Sequence, residues 1–457
     1  MRLTVIGCGH LGATHAACMA ELGHEVLGVD IDADKVALLS TGRAWFLEPD
    51  LDDLLARHTG TGRLGFTTSF EQAARFGTVH FLGVGTPGLP DHSGYDLSQV
   101  FGAVAALAPH LTRPALIVGK STVPPGTTAR LVDELRRQAP AGDAVEVAWN
   151  PEFLREGRAV GDTLRPDRIV VGVPGMAAEA TIREVYRPLT EAGIPLLTTD
   201  PVTAELVKGA ANAFLATKVS FINAMADVCA KTGGDVATLA DAVGMDARIG
   251  RAFLTAGIGY GGGCLPKDVR GLAAFAAAAG AQTAAGLLGV VDEINSGRRQ
   301  RVADLVQALL GDLSGKRIAL WGAAFKPGTD DVRDSPALDV ADRLSRLGAQ
   351  VVVYDPQAAG NALVAFPHLD QANDPLTAAR DADAVLVGTA WPQFAAADPA
   401  AVAAVVANPL IIDSCQGIPA SQWRAEGWTV AAPFPTSDRD LERTGLTQPA
   451  ARDSHPG

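Results

Sequence analysis

The sequence predicts an α/β protein: two doubly wound parallel-sheet domains joined by a helical middle region. Three observations predict it. Short β-rich runs alternate with helical stretches over residues 1–200, apolar residues then recur at helical spacing over 205–231 and 269–310, and the alternation resumes over 317–431. Strands that alternate with helices indicate βαβ units and hence parallel sheets. A chain of 457 residues is also too long for one core. The expected divisions are 1–200, 201–310, 311–437 and a loose polar tail over 438–457.

Taken in order, the first sheet is expected to use strands over 3–7, 25–30, 80–85, 115–121, 146–150, 168–172 and 195–199. A turn-like stretch over 200–203 precedes the long run 205–231, which contains no proline. The second sheet is expected over 317–321, 350–354, 384–388, 410–413 and 429–431. One segment, 271–291, is apolar enough to be tested as a membrane span. It is mainly Ala and Gly, and Asp292 and Glu293 follow at once, so it reads as a buried helix.

Composition excludes several classes. The chain is 47% hydrophobic and 19% charged, a globular balance, and its net charge of −13 argues against nucleic acid and anionic membranes as partners. A phosphate ligand would therefore need a few local basic residues. The five cysteines form no CxxC pair and the nine histidines show no ligand spacing, so no metal is expected. With strand-like residues at 2–7 and no signal peptide ahead of them, a reducing cytoplasm is the expected location.

The chemistry begins at GCGHLG (7–12). Gly7, Gly9 and Gly12, with Leu11 inside the turn, follow a strand and open a helix, and Asp30 ends the next strand. Glycines permit the tight turn and let a pyrophosphate approach the helix N-terminus, while the acid accepts from ribose hydroxyls. This predicts a Rossmann-like dinucleotide site and favours NAD over NADP, a preference that Lys35 tempers. Thr86 in GVGTP and Thr122 in KSTVPPGTT follow strands of the same sheet, at its ligand-binding edge. An ordinary loop or cap threonine would explain either residue equally well.

Three further groups stand out. NPEFLREG carries Glu152 and Glu156 four apart, which would share a face if helical and could divide base and binding roles; alone, a solvated acidic turn explains them. Lys208 and Asn212 are four apart on an apolar helix, where a lysine that snorkels to solvent competes with an oxyanion-binding role. GIGYGGGCLPKD (257–268) sets Cys264 behind three glycines and ahead of a proline-initiated helix start, a place that lowers a thiol pKa. An unpaired cysteine is more often a small buried hydrophobe.

Together, GCGHLG, LGVDID, FLEPDL, VGTP, KSTVPPGT, NPEFLREG, PDRIVVG, ELVKGAANAFLATKVSFINA, FLTAGIGYGGGCLPKD and AAFKPGTDDVRDSP resemble, in order, the motifs of the UDP-glucose/GDP-mannose dehydrogenase family. The resemblance implies an NAD-dependent four-electron oxidation of a nucleotide hexose, UDP-glucose first and GDP-mannose or an N-acetylated UDP-hexose as alternatives. A two-electron hydroxyacid dehydrogenase, or a sugar-nucleotide sensor without catalysis, is a more distant reading. The resemblance implies Cys264 as nucleophile, Lys208, Asn212 and Asp268 around the oxyanion, and Glu152 as the hydrolytic base. Thr122 and Glu156 would line the nicotinamide side, with Lys267 and Arg333 also on the cofactor. Phe153, Leu154, Phe253 to Gly257, Tyr260, Gly261 and Lys326 would hold the sugar nucleotide. Arg248 would enter from the second subunit of a homodimer. Three positions depart from the family pattern: Gly263 replaces a serine, Leu265 a phenylalanine, and Cys415-Gln416 an Arg-Asn pair near the nucleotide.

Overall fold

The computed structural model describes residues 1–91 and 94–434. They form two compact units: Met1–Thr217, Gly261–Glu293 and Gly328–Asp334 make the first, and Lys218–Tyr260, Ile294–Pro327 and the chain from Ser335 make the second. The tail expected over 438–457 lies outside the described residues.

The first unit holds β1 (Arg2–Ile6), β2 (Glu25–Val29), β3 (Leu64–Thr67), β4 (Val79–Leu82), β5 (Ala115–Gly119), β6 (Val145–Trp149), β7 (Ile169–Gly172) and β8 (Leu196–Thr199). Their order in the sheet is β3-β2-β1-β4-β5-β6-β7-β8. Strand order reverses beside β1, which opens a crevice at the carboxyl ends of β1 and β4. Successive side chains leave opposite faces, so Leu3 and Val5 enter one core while Ile6 enters the other. Because helices cover both faces, the strands read as continuous apolar runs. One join departs from the expected parallel sheet: β6 and β7 meet antiparallel in a single pair, Trp149 with Gly172.

The second unit holds β9 (Arg317–Trp321), β10 (Gln350–Tyr354), β11 (Asp370–Gln371), β12 (Ala384–Val387), β13 (Leu410–Asp413) and β14 (Thr429–Ala431). All pairs are parallel, in the order β11-β10-β9-β12-β13-β14, so the same reversal recurs beside β9. The two sheets and the long helices agree with the expected fold class. The edge strands β3 and β11 carried too little apolar alternation to be foreseen.

Two helical expectations need correction. The stretch over 200–203 is the start of a helix, Pro201–Thr232: Asp200 Oδ1 accepts from the Thr203 N–H at 2.9 Å, and Pro201 occupies a position that needs no donor. Residues 271–291 are not one buried helix. They divide between helices Leu265–Ala278 and Gln282–Leu310, with Gly280 at φ +79° between them, and Leu287 and Val290 face solvent.

Candidate active site

The glycine turn is built for close approach. Gly7 has φ +86°, and a Cβ on Gly12 would stand 1.7 Å from the Gly7 carbonyl oxygen. Nothing lies within 4 Å of a Cβ built on Gly9, and the helix His10–Glu21 starts there without a side-chain cap. Its free N–H groups and the positive end of its dipole therefore suit a pyrophosphate. Leu11 lies in the first turn of this helix. Asp30 Oδ2 accepts from the Cys8 N–H at 2.8 Å and Oδ1 from the Asp32 N–H at 3.0 Å, which fixes the acid beside the turn. Lys35 pairs with Asp32 at 3.6 Å and lies over the Trp45 ring at 4.9 Å. Ser121 Oγ donates to the Val84 carbonyl at 2.6 Å, tying together the loops that carry Thr86 and Thr122, both buried.

Cys264 stands immediately before the helix Leu265–Ala278 without a side-chain cap bond, with Pro266 in the first turn, and is exposed to solvent. Lys208 and Asn212 arrive from Pro201–Thr232, both buried. Lys208 Nζ is 2.8 Å from Glu152 Oε1. Asn212 Nδ2 donates to Asp268 Oδ2 at 2.6 Å, and Lys267 Nζ binds the other oxygen at 2.6 Å. Asp268 is fully buried and so depends on these partners.

The thiol is not depressed by its place at the helix start. Although the residue is accessible at the surface, protein packed around its sulfur desolvates the thiol and pushes it up to about 11; Lys208 draws it down, while Glu152, Asp268 and Glu156 oppose ionisation. Burial likewise works against the Lys208 ammonium, but Glu152, Cys264 and Asp268 outweigh it and hold Lys208 above its ordinary value.

The two glutamates do not share a helical face. Residues 150–155 form an open loop, because Glu48 Oε2 accepts from the Gly157 N–H and Oε1 from the Ala159 N–H, both at 2.7 Å, and so fixes where the next helix begins. Glu152 turns to Lys208, and its Oε2 accepts from the Leu154 N–H at 2.7 Å. Glu156 instead binds Arg333 at 2.9 Å. Arg333 also clasps Asp331, and although burial disfavours its charge, that carboxylate holds it above its ordinary value. A Cβ on Gly263 would stand 2.4 Å from Arg333 Cζ. Glycine at this position gives the guanidinium its place. Phe153 packs under Arg168, whose Cζ is 3.7 Å from the ring centre.

In the second unit, Phe253 takes φ +64° and Gln416 φ +58°. Gln416 Nε2 donates to the Ala256 carbonyl at 3.0 Å, and the Gly257 N–H donates to Asn223 Oδ1 at 2.9 Å. Asn295 brackets Tyr260, accepting from its N–H at 2.7 Å and donating to its carbonyl at 3.0 Å. Cys415 turns inward to the Val387 carbonyl, and burial drives its thiol far up, so Gln416 is the departing residue that faces the 253–257 segment. Lys326 lies over Phe325 at 5.4 Å. Arg248 is exposed and paired with Asp246 at 2.6 Å. Gly261 is buried and opens the first unit's share of the glycine segment.

The structure also assembles residues the sequence did not single out. Tyr95 Oη donates to the Asp268 carbonyl at 3.3 Å, Lys267 Nζ lies 4.9 Å from its ring centre, and its ring occupies the space a Cβ on Gly271 would fill. Asp331 is legible in hindsight within GTDDVRDSP, two residues before Arg333. Among the described residues, no group of three His, Cys, Asp or Glu stands together to hold a metal.

Three family models cover this arrangement, all of the UDP-glucose/GDP-mannose dehydrogenase family: the NAD binding domain over 1–190, the central domain over 202–297 and the UDP binding domain over 319–418. A UDP-glucose 6-dehydrogenase of Rhizobium meliloti is 42% identical over 90% of this chain and 94% of its own. One of Haloferax volcanii is 43% identical over 87% and 93%. The solved UDP-glucose dehydrogenase of Pyrobaculum islandicum superposes with a TM-score of 0.87 at 35% identity, covering 96% of this chain and 97% of that one. With its glycine turn, cysteine at a helix start and second parallel sheet, the chain belongs to the UDP-glucose/GDP-mannose dehydrogenase family, and its first sheet is that family's NAD binding domain.

Proposed function

We propose that this chain is an NAD-dependent UDP-glucose 6-dehydrogenase, converting the C6 alcohol of the sugar to a carboxylate through a covalent bond to Cys264. The observation that carries the reading is the cluster of buried Lys208, Asn212 and Asp268 with half-buried Glu152, whose charged members act on a solvent-accessible cysteine. Relatives at about this similarity named for the same activity support it.

NAD, when bound, accepts one hydride in each of two oxidations. In the first, the C6 hydroxyl loses its proton and C6 a hydride, giving an aldehyde. Cys264 Sγ then bonds to C6, losing its thiol proton while the carbonyl oxygen gains one, to give a thiohemiacetal. Lys208 and Asn212 hold that oxygen as charge develops on it. Loss of the second hydride and the hydroxyl proton leaves a thioester. Glu152 takes a proton from water as the water oxygen attacks C6; the C–S bond breaks and Cys264 regains its proton. The covalent stage retains the aldehyde.

The Gly9 turn and Asp30 would hold the pyrophosphate and ribose, with Leu11, Lys35, Thr86, Thr122, Glu156, Lys267 and Arg333 along the cofactor. The second sheet and the segment from Phe253 to Gly261, with Lys326, would bind the nucleotide sugar. Arg248 would complete that site from a second copy in a homodimer; its high exposure supports a reach beyond its own subunit. The five unbridged cysteines support a reducing cytoplasm.

The test is the number of NADH formed per sugar nucleotide consumed, across UDP- and GDP-hexoses, including N-acetylated ones. Two per UDP-glucose is expected. A ratio of one would overturn the covalent route, and turnover of a GDP- or N-acetyl donor alone would overturn the substrate.

A further inference from the structure

Behind the Glu152 loop lies a buried polar cluster that none of these steps uses. Lys120 follows β5 and Asn150 follows β6; both are buried, as is Tyr186. Lys120 Nζ donates to Asn150 Oδ1 at 3.0 Å and approaches Tyr186 Oη at 3.4 Å. Tyr186 Oη donates to the same Asn150 oxygen at 2.5 Å. Asn150 Nδ2 then reaches the Val170 carbonyl at 2.8 Å, and its N–H the Gly119 carbonyl at 2.7 Å. One residue, through its side chain and its backbone N–H, thus ties β5, β6 and β7 together where β6 and β7 share only one ladder pair.

A buried ammonium with neutral hydrogen-bond partners costs folding free energy. Packing alone would be served better by methionine. The charge has an address, however: Glu152 lies two residues beyond Asn150, across Pro151, whose fixed φ transmits the orientation of Asn150 to the loop. Glu152 belongs to no ladder, and among the described residues Lys208 and the Leu154 N–H hold its carboxylate.

We propose that Lys120, with Asn150 and Tyr186, is the positioning residue for Glu152, fixing the carboxylate for thioester hydrolysis. The inference rests on the reading of Glu152 as the hydrolytic base. Among the described residues, Tyr186, which burial keeps neutral, touches Lys120, and His15, which burial drives far below its ordinary value, Glu152 and Lys208 share its electrostatic surroundings. Burial lowers Lys120 itself to about 8, with Glu152 opposing and Lys208 adding to the fall.

The experiment compares the full-length protein with Lys120→Met and Tyr186→Phe. UDP-glucose and NAD are mixed with enzyme, free sugar is removed, and decay of the covalent adduct is followed by intact mass. A misplaced base slows only its own step, so the adduct is expected to decay about ten-fold or more slowly in Lys120→Met. The early NADH burst should remain close to wild type, because both hydride transfers precede hydrolysis. Tyr186→Phe, which keeps the ring in place, should slow decay in the same direction by a smaller factor. Decay within two-fold of wild type in both variants, whatever their melting temperatures, would overturn the inference. A wild-type enzyme that forms no adduct and one NADH per sugar would overturn the thioester route itself, and this inference with it.

Discussion

Removing the Lys208 ammonium should make Cys264 less reactive, and removing the Glu152 carboxylate should make it more so. Lys208 is the largest influence favouring the thiolate, and Glu152 the largest charge opposing it. The two are paired at 2.8 Å with side chains 5% and 13% exposed, so solvent screens neither well. Unit charges about 5 Å apart interact by about 3 kcal/mol at an effective dielectric near 20. Since about 1.4 kcal/mol is one power of ten in ionisation, Lys208→Met should cut the thiolate about a hundred-fold at fixed pH. With the thiol at about 11, roughly 1% is ionised at about pH 9, enough to alkylate at a measurable rate. The assay is iodoacetamide labelling of Cys264 between about pH 8 and 10, read by peptide mass. Cys8, Cys18 and Cys229 are buried and serve as internal controls. Lys208→Met should label more slowly, Glu152→Gln faster, and the double variant between the two. Labelling of Lys208→Met at the wild-type rate, or slower labelling of Glu152→Gln, would refute this account of the site's electrostatics.

Gly263→Ser should displace the Arg333 guanidinium and weaken its pair with Glu156, raising KM for NAD about three- to ten-fold with little change in melting temperature; an unchanged KM would show that Arg333 finds an equivalent place. Glu205 accepts from the Gly126 and Thr128 N–H groups and the Thr128 hydroxyl, each at 2.6 Å, yet burial holds its carboxyl above the ordinary value. The native state then binds that proton more tightly than the unfolded chain, so the group's contribution to stability falls as pH rises through its native pKa. Glu205→Gln should therefore melt below wild type, by a margin that narrows from about pH 4 to about pH 7; a widening margin would reverse the sign. Arg248→Ala should weaken UDP-glucose binding about ten-fold, with NAD affinity unchanged by calorimetry; unchanged sugar-nucleotide affinity would count against a site shared between copies.

What the amino-acid sequence determined by itself is the part of the protein set by local covalent and steric chemistry. A Gly7-x-Gly9-x-x-Gly12 run after a buried strand permits few other turns, because the Gly12 position excludes any Cβ. The strands β9, β10, β13 and β14 begin and end where apolar runs meet turn residues. Pro266 just inside the helix behind Cys264 is equally local.

Tertiary structure decided whatever depends on partners distant in sequence. The 150–155 segment has helical spacing but no helix, since Glu48, about a hundred residues earlier, claims the N–H groups of Gly157 and Ala159. β3 exists because Val26 to Val29 offer it a ladder, not because LGFT alternates well. Gly263 is explained only by Arg333, seventy positions on. The thiol shows the limit most clearly. Its helix-start position favours ionisation by local rules, but desolvation and the carboxylates of Glu152, Asp268 and Glu156 outweigh that position and Lys208 together. Such a balance is a sum over charges brought together by folding, and no window of sequence contains it.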